Sequence, residues 1–146
     1  MMNARKNLKW LSAVVLALAG LSFIRVIWDA FFTEINTAAL PEGATEGLVL
    51  AAQIALCVVG IILLLPQIYV GVKGLKIAEK PDNSKAHIVW ATILTVISVI
   101  GILSPVSDLL KGGNVADNVV AIIDMATDVA VYIAYITYAK QVLKAA

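Results

Sequence analysis

Two carboxylates, Asp124 and Asp128, stand one helical turn apart in a stretch of this chain that is otherwise uncharged. A helix through this stretch would present both side chains on one face, because residues four apart lie above one another. A charged side chain inside hydrocarbon costs at least about 2.5–3.5 kcal/mol, and such residues are as a rule paired or functional. The chemistry that these residue types could perform here is the binding of a proton or a cation.

A basic partner for one of these carboxylates is expected at the same depth. Asp124 precedes Lys140 by 16 residues, and Arg25 follows Lys9 by 16 residues. At about 1.5 Å per residue, both side chains would lie about 24 Å from the inner boundary of a membrane. The sequence therefore predicts an Arg25–Asp124 ion pair, with Asp29 one turn beyond Arg25.

Asp128 would lie about 18 Å from the same boundary, close to the centre of the bilayer. Removal from water favours the neutral form of a carboxyl there, so the side chain is a candidate for binding a proton or a cation. Gln53, Gln67 and Tyr132 are the residues expected to complete such a site. The alternative is a protonated Asp128 that only hydrogen bonds to a neighbouring helix.

The remaining reactive residue types offer little chemistry. His87 is the only histidine, which excludes haem ligation by two histidines of one chain; we expect it at headgroup level without a task, with pH sensing as the alternative. Cys57 is the only cysteine and has no partner in the chain for a disulfide or a thiol metal cluster. No Gly-rich phosphate loop, HExxH, GxSxG or paired CxxC occurs. We therefore predict no catalytic residues, no metal site and no cofactor, and a protein that is not an enzyme.

Four long apolar stretches must position these residues. They cover approximately residues 10–32, 47–72, 86–106 and 118–138, and a membrane-spanning helix needs about 20 residues. Hydrophobic residues make up 61% of the chain and charged residues 14%, against roughly a half and a quarter in soluble domains. The sequence predicts an all-α integral membrane protein: a four-transmembrane-helix bundle with short loops, forming a single membrane domain over residues 1–146.

Positive charge alternates from one connection to the next. All Lys and Arg residues except Arg25 and Lys111 fall in three groups: Arg5, Lys6 and Lys9; Lys73, Lys76, Lys80 and Lys85; Lys140 and Lys144. The other two connections are acidic overall. The positive-inside rule then predicts that the N-terminus, the middle loop and the C-terminus are cytoplasmic. A multi-pass protein of the cell membrane follows, and short loops without glycosylation sequons favour the bacterial cytoplasmic membrane.

The middle loop is expected to meet lipid. Anionic headgroups would contact Lys73, Lys76 and Lys80, at roughly 1 kcal/mol for each basic residue. Asp82 or Ser84 is predicted to cap the third helix by accepting bonds from its free N–H groups. The net charge of +1 gives no reason to expect a nucleic-acid partner.

The N-terminal segment has an alternative reading. The basic residues before Trp10, the apolar run Leu11–Leu16 and Ala17-Leu18-Ala19 resemble a signal peptide with an A-x-A cleavage site. The apolar run continues through residues 21–27, which favours a retained first span. Cleavage would leave three spans and an outer N-terminus.

Each span also carries a polar or small-residue stripe at helical spacing. In the second span the stripe is Gln53, Cys57, Gly60, Leu64, Gln67 and Gly71; in the third it is Thr92, Thr95, Ser98, Gly101 and Ser104. Polar faces turn away from lipid, so the stripes predict a partly polar bundle interior. Such residues also serve simply to let helices pack closely.

Two functional classes are therefore open. In the first, the interior binds or passes a small ion or solute, and a chain this small does so as a homo-oligomer or with a membrane partner. In the second, the protein is a non-transporting structural or accessory membrane subunit. Asp128 is the reason to prefer the first.

Overall fold

The computed structural model describes residues 2–32, 43 and 45–145. These residues form four helices and no strand: α1 (Met2–Phe32), α2 (Glu46–Glu79), α3 (Ala86–Leu110) and α4 (Val115–Lys144). Each helix is long and apolar enough to cross a membrane. The predicted all-helical class with four candidate spans is thereby confirmed, and it indicates a multi-pass membrane protein. Most of the predicted acidic connection between the first two spans lies outside the described residues.

The helices extend beyond the apolar stretches that predicted them. Helix α2 has 34 residues and rises about 51 Å at 1.5 Å per residue, whereas the hydrocarbon core is about 30 Å thick. Lys73 and Lys76 continue the helix because lysine is a good helix former although it does not belong in hydrocarbon. Hydropathy therefore marks where a helix meets lipid and not where it ends.

The chain forms two compact units. The first unit consists of Met1–Leu16 and Pro66–Ala146, and the second unit is Ala17–Leu65. Helices α1 and α2 each contribute residues to both units. The single membrane domain over residues 1–146 that the sequence predicts stays a prediction.

The first unit has a core of buried apolar side chains. Its members are Ala4, Leu8, Val15, Val70, Ile77, Ala78, Ile88, Ala91, Tyr132, Tyr135, Ala139 and Val142. They recur every three or four residues along each helix, so each helix buries one stripe. Helices α3 and α4 pack directly against each other. The core lies toward the helix ends that carry the three basic groups.

The second unit is held together by the C-terminal half of α1 and the N-terminal half of α2. The isopropyl group of Val26 packs so closely on Gly60 that a Cβ at Gly60 would meet it. Trp28 and Phe32 stack one turn apart, with ring centroids 4.8 Å apart. Val26, Asp29, Ala30, Leu56 and Gly60 line a shallow cleft of about 230 Å³.

The boundary between α2 and α3 differs from the prediction. Lys85 is the N-cap of α3 and makes no side-chain capping hydrogen bond, so the predicted capping by Asp82 or Ser84 is wrong. The Asp82 carboxylate instead accepts from the Ser84 backbone N–H at 2.8 Å and from Lys73 Nζ at 2.8 Å. The Asp82 side chain therefore binds back to Lys73 of α2 and does not cap α3.

Candidate functional site

Asp128 stands in the middle of α4, in the first unit. Its side chain is half-buried, Asp124 one turn earlier is exposed, and Tyr132 one turn later is only 3% exposed. Residues four apart on a helix are neighbours, and the carboxyl of Asp128 acts electrostatically on the Tyr132 hydroxyl. Asp128 and Tyr132, two residues of the predicted site, therefore lie close together on α4, and their role in binding stays a prediction.

The other predicted binding residues are divided between the two units. Gln67 is 7% exposed in the first unit, while Gln53 is half-buried in the second. Arg25 and Asp29 are exposed in the second unit, where Asp29 lines the cleft beside α2. The predicted pairing of Arg25 with Asp124, which belongs to the first unit, stays a prediction, as does the convergence of these residues on one interior.

A polar cluster in the core of the first unit was not expected from the sequence. His87 is 1% exposed and Tyr135 is fully buried. The Nδ1 atom of His87 lies 2.7 Å from the Tyr135 hydroxyl, which also lies 3.0 Å from the carbonyl oxygen of Val70. His87 Nε2 is 3.2 Å from the carbonyl oxygen of Ser84. His87 is therefore not without a task, because its side chain connects three segments of the core; its expected position at headgroup level stays a prediction.

The sequence points to this cluster only weakly, through the spacing of two tyrosines on α4. Tyr132 and Tyr135 are three residues apart and share a face of α4. Since Tyr135 and His87 are 48 residues apart in the chain, nothing local links them. Their rings meet edge to face, with an interplanar angle of 87°.

Gly74 and Ser12 close one side of this cluster. A Cβ at Gly74 would meet Ser12 Oγ and the ring and hydroxyl of Tyr135. Ser12 is fully buried, and its hydroxyl donates to the Leu8 carbonyl oxygen at 2.7 Å. Helices α1, α2 and α4 therefore approach one another where α2 has no side chain.

The end of α2 is held by basic residues of α1. Arg5 Nε donates to the carbonyl oxygen of Ala78 at 2.9 Å, and its Nη2 donates to that of Glu79. Lys9 Nζ lies 3.0 Å from the Glu79 carboxylate. The last carbonyls of a helix have no partner within it and carry negative partial charge, so an arginine there satisfies both needs.

One of the three lysines predicted to contact headgroups lies in an ion pair, and the headgroup contacts themselves stay a prediction. Lys73 is bound to Asp82 at 2.8 Å, whereas Lys76 and Lys80 are exposed. The Lys73 ammonium, followed by the Ser84 backbone N–H, lowers the pKa of the Asp82 carboxyl below its usual range. Lys76 and Lys80, like Lys85 at the start of α3, thus have exposed side chains.

In the part of the chain that the structure describes, no group of three or more His, Cys, Asp or Glu side chains is arranged to hold a metal ion. Cys57 is a half-buried free thiol.

Comparison with known proteins does not identify the chain. No family model, no curated protein and no solved structure matches it.

Proposed function

We propose that this chain binds a small ion or solute, or passes it, through a polar membrane interior. The observation that carries the proposal is the half-buried Asp128 carboxyl in the middle of an apolar 30-residue helix, one turn from the buried Tyr132. An ionisable side chain within a span costs several kcal/mol and is a functional candidate by default. The ligand that fits this chemistry is a proton or a small cation, with the Gln67 amide and the Tyr132 hydroxyl as further oxygen donors.

The setting that we propose for this activity is the cell membrane, in a bacterium the cytoplasmic membrane. Both chain ends and the loop between α2 and α3 would face the cytoplasm, as the basic groups there require. Lys76 and Lys80 would meet anionic headgroups, with Lys73 able to join them only when it leaves Asp82. Neither an enzymatic activity nor a nucleic-acid partner belongs to this proposal.

A chain of this size would form a pathway together with other copies. A bundle of only four helices is too small for a roomy pathway of its own, so we propose a homo-oligomer or a complex with a membrane partner. The face of α4 with Ala126, Ala130 and Ala134 suits such a contact, since small residues let helices approach closely. The binding carboxyl and the contact face would then lie on the same helix.

A second candidate is a structural or accessory membrane subunit that transports nothing. The observation that favours it is that every fully buried side-chain nitrogen or oxygen among the described residues has a hydrogen-bond partner. A bundle whose only task is to pack would satisfy its polar groups in this way. In that case Asp128 would fix the register of α4 and could be replaced by a neutral side chain.

Thermal stability of the purified protein separates the two candidates. The wild type, Asp128→Asn and the control Asp108→Asn, an exposed carboxyl at the end of α3, are screened with cations and small solutes from about pH 5 to 9. A ligand that binds only the folded state stabilises it by about 2.7 kcal/mol at 100 times its Kd. We expect a shift in Tm that Asp108→Asn keeps and Asp128→Asn loses while remaining folded. A flat response in all three proteins would contradict the proposal and favour the accessory subunit.

A further inference from the structure

The cleft between α1 and α2 in the second unit combines apolar walls with a carboxylate. It has a volume of about 230 Å³, and the described residues that line it are Val26, Asp29, Ala30, Leu56 and Gly60. Among these five residues only Asp29 is charged. Ligand sites are mostly apolar, and a small number of polar groups fix the orientation of the ligand. A cleft with this lining suits a ligand that carries a positive group on an apolar body.

Small residues leave the space for this cleft. Ala30 of α1 is 4% exposed and has only a methyl group, and Gly60 of α2 has no side chain. A Cβ at Gly60 would lie 2.5 Å from Val26 Cγ1, so the two helices touch at this level. Leu56, one turn before Gly60, is 58% exposed, and Asp29 is exposed as well. A ligand can therefore reach both the apolar wall and the carboxylate.

Aromatic rings stand next to the carboxylate on α1. Phe32 follows Asp29 by three residues and is therefore its neighbour on the helix surface. Phe32 stacks on Trp28, with ring centroids 4.8 Å apart. The face of an aromatic ring attracts cations, and a carboxylate accepts charge-assisted hydrogen bonds. Both features favour a cation over a neutral or anionic ligand.

We propose that this cleft binds an organic ammonium group, carried either by a lipid headgroup or by a soluble amine with an apolar chain. The ammonium donates to the Asp29 carboxylate, and the apolar chain lies along Val26 and Leu56. The cleft of about 230 Å³ is smaller than the roughly 300–1,000 Å³ of sites for drug-sized ligands, so it holds the ammonium and the first part of the chain. This site belongs to the second unit and does not depend on a ligand at Asp128 of the first unit.

The ligand shares the carboxylate with a partner inside the protein. Asp29 has an interaction of its own within the chain, and an ionised carboxylate offers about four lone-pair sites, so it can accept from a ligand as well. Arg25 stands one turn before Asp29 on the same helix. The Arg25 guanidinium repels an ammonium ligand, so its removal should tighten binding.

The ligand preference is measured on the whole chain in nanodiscs of phosphatidylglycerol, a lipid without an ammonium group. The probes are octylammonium, its neutral analogue octanol and its anionic analogue octanoate, all at pH 7. The readout is the ¹⁹F signal of fluorotryptophan at Trp28, one of three tryptophans in the chain, assigned with Trp28→Phe. We expect a saturable shift with octylammonium alone. The same saturable shift with octanol would overturn the proposal.

Three variants test recognition by charge. Asp29→Asn and the matched control Glu46→Gln each neutralise an exposed carboxylate of the second unit. We expect Asp29→Asn to weaken octylammonium binding about tenfold or more, Glu46→Gln to keep the wild-type affinity and Arg25→Gln to bind more tightly. Equal affinity of Asp29→Asn and the wild type, or a loss of binding in Arg25→Gln as well, would contradict the proposal. If Asp29→Asn does not fold, the comparison of octylammonium with octanol on the wild type still decides.

The lipid composition of the nanodisc distinguishes the two sources of the ammonium group. Phosphatidylethanolamine carries a primary ammonium in its headgroup, so it competes with octylammonium if the natural ligand is a lipid. In that case nanodiscs that contain phosphatidylethanolamine should show weaker octylammonium binding at Trp28. Unchanged binding would assign the cleft to a soluble amine.

Discussion

The ring of Tyr135 occupies the space that a side chain at Gly74 would need. A Cβ on Gly74 would lie 2.6 Å from Tyr135 Cε2 and 2.7 Å from its hydroxyl oxygen, and it would also meet Ser12 Oγ. Real Cβ atoms essentially never show non-bonded contacts below 3.0 Å, so one of the neighbours would have to move. Because Tyr135 is also held by His87 and Val70, it has little freedom to do so.

Gly74→Ala should therefore destabilise the protein. Overpacking of a tight site costs typically about 1–3 kcal/mol, which outweighs the roughly 0.5–1 kcal/mol that alanine gains over glycine in a helix. Gly20→Ala in α1 is the matched control, since a Cβ there has no atom within 4 Å. Thermal unfolding in one detergent should show a lower Tm for Gly74→Ala and an equal or higher Tm for Gly20→Ala. Equal values for the two variants would disprove the close contact.

Replacement of Arg5 should loosen the end of α2. Arg5→Ala removes the donors to the carbonyls of Ala78 and Glu79, at an expected cost of roughly 1–2 kcal/mol. Arg5→Lys should recover part of the loss, because it keeps the charge but not the planar pair of donors. The measurement is Tm together with hydrogen exchange at the end of α2. The neighbouring exposed Lys6 serves as control, and an equal loss in Lys6→Ala would contradict capping by Arg5.

Acid should weaken the link between Lys73 and Asp82. The pKa of Asp82 is lowered, first by the hydrogen bond from Lys73 and then by that from Ser84, from its ordinary value of 3.8. A carboxyl with a lowered folded-state pKa stabilises the fold above the unfolded value, and the contribution is lost as pH falls through the folded value. Tm of the wild type should therefore fall toward that of Asp82→Asn below pH 3.8. Since the pair is exposed, the difference should be small and should shrink in high salt. A Tm difference that stays constant down to pH 2 would refute this linkage.

A double-mutant cycle tests the ion pair that was inferred from depth along the sequence. Asp124→Asn and Arg25→Gln should each lower stability, and the double variant should cost less than the sum of the two. A coupling of about 0.5–3 kcal/mol is the range for residues in contact. The readout is the free energy of unfolding in one lipid or detergent system. If the losses of stability of the two single variants simply add in the double variant, the Arg25–Asp124 ion pair is contradicted.

The existence and approximate position of the four helices could be predicted from hydropathy alone, because apolar stretches of this length are typical of membrane-spanning helices. Their ends could not: Lys73 and Lys144 belong to helices, and charge does not stop a helix in water or headgroups. The buried face of α2 could be predicted in part from helical spacing, because Leu64, Gln67 and Gly71 of the predicted stripe are buried. Periodicity works there because one face of a helix meets protein.

The polar cluster of the core was beyond the reach of the sequence. His87 follows Lys85 at the start of a span, so its local surroundings indicate a membrane surface. The burial of His87 depends on Tyr135 and Val70, which come from other helices. Asp128 is the opposite case, because a carboxyl in an apolar run is conspicuous whatever it contacts. Composition therefore reveals a misplaced charge, while a satisfied polar contact needs the tertiary structure.

The way in which the chain is divided between the two units implies an order of folding. The second unit, Ala17–Leu65, is one continuous piece of chain, so it can form as soon as the beginning of α2 has been synthesised. The core of the first unit joins Leu8 near one end of the chain with Val142 near the other. Such contacts of high sequence separation form slowly, because a long loop must be closed before they contribute. Chains halted before α4 would hold the earlier helices without this core, and its completion is therefore the last step of assembly.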